Sequence, residues 1–329
     1  MNRKVLIVRF SSFGDIVHAR SICKVLKKDL GVEKLHWLIR SDLDGAISGD
    51  KYIDRIIPFE RKLGLVGLLR LSKELAKEDY DFVYDAHNNV RSFFVRTVIS
   101  LFSASSVVVR PKDRLKRIML FVFGLNLFSK PYKAMESYWR PLQSFLGVST
   151  SLSPIEWPVA PTDEQADMLR DAIVIVPSTA WPMKSWPKAH WEELILLLPE
   201  QKFIILGGPE DDFCESIKSV APERVSNLAG KLSLKESSAL AAHASFLISA
   251  DTGLQQVADL AGVNGLSLMG PSAFGFTTMG SMKTMEVDLK CRPCSKDGSG
   301  KCSQDIYQKC MVEITPSAVA KEVENFLGK

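Results

Sequence analysis

The sequence predicts an α/β protein made of two doubly wound domains, each built on a parallel sheet. Three observations predict it. Short β-branched runs alternate with amphipathic stretches of helical period along the whole chain. The alternation comes in two series, separated by the Ser-, Thr- and Pro-rich stretch GVSTSLSPIEWPVAPTDEQ, which reads as a linker. The 329 residues also suffice for two cores rather than one. The boundary is placed near Ala160, giving domains 1–160 and 161–329.

In the first series KVLIV, KLHWLI, YIDRIIPF, DFVYDA and SSVVVR read as strands, with DIVHARSICKVLKKDL, GLLRLSKELAKE and VRSFFVRTVIS as helices between them. In the second, AIVIVP, KFIILGG, RVSNLAG, SFLISAD and GLSLMG are strands, and HWEELILLL, SLKESSALAAH and GLQQVADLAG are helices. The chain closes on TPSAVAKEVENFL, a helix with Thr315 as its cap and Pro316 in its first turn. Two such domains facing each other leave a cleft lined by strand carboxyl ends, which suits transfer between two substrates.

Composition narrows the class. Hydrophobic residues at 46% and charged residues at 24% are ordinary for a soluble protein. A net charge of +4 is too small to argue for nucleic acid and suits an anionic substrate or surface. Residues 1–4 lead straight into a strand, leaving no room for a signal peptide, and no apolar run reaches the roughly 18 residues of a membrane span. The expected location is the cytoplasm. In RPKDRLKRIMLFVFGLNLF, Arg110, Lys112, Arg114, Lys116 and Arg117 precede an apolar stretch. That pattern is usually a solvated charge run before a buried helix, and it also fits a peripheral attachment to anionic lipid.

Five stretches carry candidate chemistry. In VRFSSFGDIVH, Asp15 opens a helix after the first strand, where it reads either as a first-turn capping charge or as a base at a strand's carboxyl end. Ser11, Ser12 and Gly14 surround it, and His18, one turn on, reads equally as an orienting group and as a structural histidine. In VPSTAWPMKSWP, the hydroxyls of Ser178 and Thr179 with Lys184 make a diphosphate clamp or an ordinary surface loop. In LGGPEDD, Glu210 is a ribose acceptor or part of an acidic first turn. In SADTGLQQVADLAG, the amides of Thr252 and Gly253 begin a helix and suit a phosphate, with Asp251 beside them. YDAHNNVRS adds His87, Asn88 and Arg91 at another strand end. Neither domain has GxGxxG after its first strand, which argues against a dehydrogenase.

With these positions in hand, the sequence resembles glycosyltransferase family 9, the ADP-heptose:lipopolysaccharide heptosyltransferases. The likeness runs through VRFSSFGDIVH, VPSTAWPMKSWP, LGGPEDD and ISADTGLQQVADLAGVNGLSLMGPS. It implies a GT-B fold of two Rossmann-like domains, the first binding the acceptor and the second the sugar nucleotide. It further implies an inverting transfer of heptose from ADP-heptose to the inner core of lipopolysaccharide, with no cofactor or metal required for catalysis. Carried over by position, Asp15 is the general base, Lys184 the lysine at the diphosphate, Glu210 the ribose contact, and Asp251 to Gly253 the donor-binding turn. Ser11, Ser12, Gly14, His18, His87, Asn88 and Arg91 fall on the acceptor side. Gln256 stands where the family commonly has histidine, so donor identity is open at that position. The expected setting is the cytoplasm, with peripheral contact with the inner membrane as the alternative that the basic segment leaves open, and no nucleic-acid partner is expected.

Cys291, Cys294, Cys302 and Cys310 cluster near the end, with one CxxC. In a cytoplasmic chain they read as a structural zinc site or as unligated thiols, and spacing leaves both open.

Overall fold

The computed structural model describes residues 3–328. Its first sheet grows around β1 (Arg3–Val8), whose last four residues are all buried. An uninterrupted apolar run of this kind belongs to a parallel strand covered on both faces. Around it lie β2 (Val32–Arg40), β3 (Arg55–Phe59), β4 (Phe82–Asp85) and β5 (Ser106–Val109). The order is β3-β2-β1-β4-β5, with every pairing parallel. The connecting helices are α1 (Phe13–Lys24), α2 (Gly64–Ala76) and α3 (Val90–Phe102). Leu6, Val8, Leu38, Ile57 and Val83 from the strands pack with Leu68, Leu75, Val95 and Ile99 from α2 and α3.

Two elements are shorter than the sequence predicts. The first helix ends as an α-helix at Lys24 and runs on as a π-helical turn, Val25–Asp29, closed by Leu30 N–H donating to Val25 O (3.0 Å). The third strand starts at Arg55, because Asp50 and Asp54 bind the backbone N–H groups of Tyr52 (2.9 Å) and Leu35 (2.7 Å) and fold the preceding residues into a turn.

After α4 (Arg114–Phe123) and α5 (Ala134–Leu146) the second series begins with α6 (Asp163–Arg170). It continues through β6 (Ala172–Val176), α7 (Lys188–Leu197), β7 (Lys202–Ile205), α8 (Phe213–Lys218), β8 (Val225–Asn227), α9 (Leu234–His243), β9 (Phe246–Ala250), α10 (Gly253–Ala261) and β10 (Gly265–Met269). It ends with β11 (Met282–Glu286), α11 (Lys309–Val312) and α12 (Pro316–Leu327), the last capped by Thr315, which accepts from Ala318 N–H at 3.3 Å. The order is β11-β10-β9-β6-β7-β8, again all parallel. Ile173, Ile175, Phe203, Ile205, Ile248 and Leu268 form its core with Trp191 of α7 and Val319 and Val323 of α12. β11 is an edge strand whose residues, Met-Lys-Thr-Met-Glu, give little strand signal of their own.

The chain divides into two compact units: residues 3–114 with Met135–Pro158, and Leu115–Ala134 with residues 159–328. The sequence reading put 115–134 in the first domain. The structure packs that segment on the second unit, where Phe121, Phe128 and Tyr132 meet Phe274 edge-on, with centroids 6.2, 5.1 and 4.8 Å away. The end of the first unit is pinned by Arg20, which pairs with Asp50, donates to Glu156 O (2.8 Å) and lies 4.6 Å from the Trp157 ring. Among the described residues no helix is long and apolar enough to cross a membrane.

Candidate active site

In an open α/β sheet, ligands bind beyond the strand carboxyl ends where the strand order reverses. In the first sheet that point lies between β1 and β4. β1 leads into Arg9, and β4 into Ala86 and His87. Arg9 is 5% exposed, donates through one terminal nitrogen to Ala86 O (2.8 Å), and pairs through the other with Asp15 Oδ2 (2.5 Å). Asp15 is the third residue of α1, behind the N-cap Ser12. Ser12 Oγ donates to the same carboxylate oxygen (2.8 Å), and Tyr138 Oη of α5 donates to Oδ1 (2.9 Å). The carboxylate is thus gripped by three side chains while staying 38% exposed.

These partners fix its charge. Burial alone would raise the Asp15 carboxyl, but the Arg9 guanidinium, then His18 and the Ser12 and Tyr138 hydroxyls, hold it well below the usual carboxylate range. Burial pushes the Tyr138 phenol up, so it remains a donor. Burial and the Arg9 charge bring His87 down to about 3, leaving a neutral ring whose Nδ1 accepts from Phe10 N–H at 3.2 Å. His18 is buried, its ring 6.1 Å from that of Tyr138. Asn88 adopts a left-handed backbone (φ 52°) and donates to Arg110 O (2.8 Å), a turn-forming use of the side chain. Arg91 is exposed at the start of α3, and Ser11 and Gly14 flank the α1 N-terminus, half-buried.

In the second sheet the reversal falls between β6 and β9. The loop after β6 carries Ser178, half-buried, and Thr179, whose hydroxyl is bound within the loop to Trp181 O (2.8 Å) and Ser185 Oγ (2.7 Å). Lys184 closes a 3₁₀ turn, Pro182–Lys184, and reaches Asp251 Oδ2 at the end of β9 (3.2 Å), the two side chains being 12% and 16% exposed. Ser272 Oγ also donates to Asp251 Oδ2 (2.8 Å). The cap of α10 is Thr252, which accepts from Gln255 N–H (3.1 Å), so Asp251 is left to hold Lys184. The first amides of α10, from Gly253 onward, have no helix carbonyl to bind and point out of the N-terminus. A lysine with spare N–H donors beside a helix N-terminus can hold a diphosphate.

Two glycines make this arrangement fit. A Cβ on Gly275 would lie 2.1 Å from Asp251 Cγ, and one on Gly298 (φ 88°) would lie 2.4 Å from Lys184 Cγ. The Gly298 loop, which carries Cys291, Cys294 and Cys302, therefore packs on the lysine stem. All four clustered cysteines are free thiols, and burial pushes Cys310 up to about 11. Among the described residues no group of three or more His, Cys, Asp or Glu side chains is arranged to hold a metal ion.

Gln256 and Glu210 of the predicted donor set have contrasting surroundings. Gln256 is 2% exposed and spends its amide N–H groups on Gln255 Oε1 (2.6 Å) and Gly275 O (3.0 Å), which makes it a brace for the Gly275 loop. Glu210 stands exposed beyond β7, while its neighbour Asp211 accepts from Gly208 N–H (2.5 Å) and shapes the loop. Arg9, Tyr138, Ser272, Gly275 and Gly298 were not singled out from the sequence. Only Arg9 carries a local signal, as a charge directly following four buried apolar residues.

Two parallel-sheet, Rossmann-like lobes with a group of polar residues at each sheet's reversal point make a GT-B-like fold, that of a class of glycosyltransferases. Solved structures share it: a family 9 glycosyltransferase from Veillonella parvula (TM-score 0.74, 20% identity, 99% of this chain and 98% of that one) and the Escherichia coli ADP-heptose lipopolysaccharide heptosyltransferase II (TM-score 0.73, 18% identity, 98% of each). The model of glycosyltransferase family 9 (heptosyltransferase) matches residues 68–308, and the chain belongs to that family. Among curated relatives, lipopolysaccharide heptosyltransferase 1 of Pseudomonas aeruginosa is 22% identical over 98% of both chains. The protein is a glycosyltransferase.

Proposed function

We propose that the protein transfers heptose from ADP-heptose to the inner core of lipopolysaccharide with inversion at the anomeric carbon. The observation that carries this reading is the Lys184–Asp251 pair beside the α10 N-terminus, a cationic, donor-rich point suited to a departing diphosphate. The names of the relatives above, heptosyltransferases acting on lipopolysaccharide, supply the sugar and acceptor classes.

In the proposed mechanism the acceptor hydroxyl attacks the anomeric carbon and gives its proton to Asp15, while the bond to the diphosphate breaks. A carboxylate held this far down is a weak base, so the proton moves late, once the new C–O bond has made the hydroxyl acidic. Lys184, the α10 amides and Ser178 offset the charge that develops on the diphosphate. Thr179 supports the loop, Asp251 orients Lys184, and Glu210 is the ribose acceptor. Ser11, Ser12, Gly14, His18, His87, Asn88 and Arg91 frame the acceptor side. Exposed Leu115, Val122, Phe123 and Leu125 beside Lys116 and Arg117 support peripheral contact with an anionic membrane.

The test is transfer from ADP-heptose to a panel of truncated lipopolysaccharides by the wild type and Asp15→Ala. Turnover by the wild type on one truncation, lowered about 100- to 10,000-fold in the variant with ADP affinity kept, is the expected result. No turnover on any acceptor while ADP still binds would move the donor to another sugar on the same nucleotide.

A further inference from the structure

The second unit contains a cavity of about 540 Å³ that none of the roles above uses. This volume lies in the range of small-molecule sites. One wall is aromatic: Phe128, Tyr132 and Phe274 meet edge to face, with centroids 4.8 to 5.5 Å apart. Arg117 stacks on Phe274 at 4.8 Å and Lys116 lies over Phe128 at 5.8 Å, which fixes these rings in place. The lining is also polar. Glu286 and Asp288 stand at the carboxyl end of β11, with Glu286 held by Arg292 (2.8 Å), itself anchored on Gly270 O (2.8 Å) and Val287 O. Asp288 and Lys130 make no hydrogen bond or ion pair among the described residues. Ser272 also lines the cavity, and its hydroxyl donates to Asp251, so the cavity lies one hydrogen bond from the carboxylate that holds Lys184.

A purely apolar ligand would strip water from two carboxylates and a lysine without replacing it. A flat base finds no parallel slot among rings set at 72° to 89° to one another. A sugar matches both parts of the lining: its C–H face lies on aromatic carbon, and its hydroxyls donate to the carboxylates of Asp288, which has no partner among the described residues, and of Glu286, whose second oxygen is left by Arg292. We infer that this cavity is a carbohydrate subsite, taking a sugar ring on the Phe128–Tyr132–Phe274 wall with its hydroxyls on Asp288 and Glu286 and any anionic substituent on Lys130.

This goes beyond the proposed function, which assigns the second unit only the nucleotide end of the donor. The sugar has two sources, the one carried by the nucleotide and the saccharide of the acceptor. The experiment measures ADP, ADP-heptose and a delipidated core oligosaccharide by calorimetry, and sugar-proton saturation transfer from a panel of free hexoses and heptoses. It compares the wild type with Asp288→Asn, Lys130→Gln and Phe128→Leu. Asp288 and Lys130 are exposed, so their variants are expected to fold and to bind ADP as the wild type does. The expected result is a roughly tenfold loss, the scale of one charge-assisted hydrogen bond, for ADP-heptose if the subsite takes the donor sugar, or for the oligosaccharide if it takes the acceptor. If ADP-heptose is no ligand but a free sugar loses its saturation transfer in Asp288→Asn, the subsite stands and the heptose reading falls. If no saccharide distinguishes the three variants from the wild type within twofold, or the wild type binds none, the inference is overturned.

Discussion

Asp15 was legible in the sequence as an acid after a strand; in the fold it bonds to the cap residue Ser12 and stands at the reversal point of the sheet. Its partners were not legible, because Tyr138 lies 123 residues away and meets it only through tertiary packing. Arg9 sets how this carboxylate titrates. Removing a neighbouring cation raises a carboxyl pKa. On the proposed role, Arg9→Gln is expected to shift the acid limb of the kcat/KM profile to higher pH, while Arg9→Lys keeps most of the wild-type profile. An unmoved acid limb in Arg9→Gln would separate Asp15 from the rate. Tyr138→Phe removes one of the hydrogen bonds to the carboxylate and is expected to shift the limb the same way by less, with kcat lowered a few-fold.

At the scale of elements, the βα alternation was readable wherever a strand is buried and β-branched, as in AIVIV, and failed at β11, whose short edge run lacks that composition. The loop joining β10 to β11 has a titrating brace that composition could not reveal. Asp259 of α10 is fully buried and accepts from the N–H groups of Thr278 (2.6 Å) and Met279 (3.0 Å). Burial outweighs those bonds and raises its pKa to about 6. An acid with a raised pKa holds its proton more tightly folded than unfolded, so its contribution is most favourable below the ordinary value of 3.8 and is lost as pH rises through about 6. The shift corresponds to about 3 kcal/mol. The Tm of the wild type relative to Asp259→Asn is therefore expected to fall between pH 4 and pH 7, and a difference independent of pH would contradict the assignment. In the cysteine-bearing loop, Gly298→Ala places a methyl on the Lys184 stem at a left-handed position. It is expected to weaken ADP binding at least tenfold and cost about 1–2 kcal/mol of stability, read by calorimetry and thermal unfolding.

For the whole molecule, two domains were legible from the two series of strands, but the path of the chain between them was not. Nothing local in IMLFVFGLNLF says that its partner is Phe274, roughly 150 residues on. The chain passes from one unit to the other at 114/115, 134/135 and 158/159. A fragment of residues 159–329 lacks the segment that covers Phe274, and it is expected to bind a hydrophobic dye more strongly than the intact protein. The outer residues of the same segment carry the lipid proposal. Val122→Glu with Phe123→Glu is expected to reduce sedimentation with phosphatidylglycerol vesicles at least several-fold and to leave phosphatidylcholine unaffected, while equal sedimentation would remove membrane contact from the account. The segment also imposes a waiting time during synthesis. At about 5–20 residues per second, Phe274 leaves the ribosome roughly 7 to 30 s after Phe128. For that interval Phe121, Phe128 and Tyr132 lack the Phe274 ring they pack on, and the nascent chain offers an apolar strip to any chaperone at the tunnel exit.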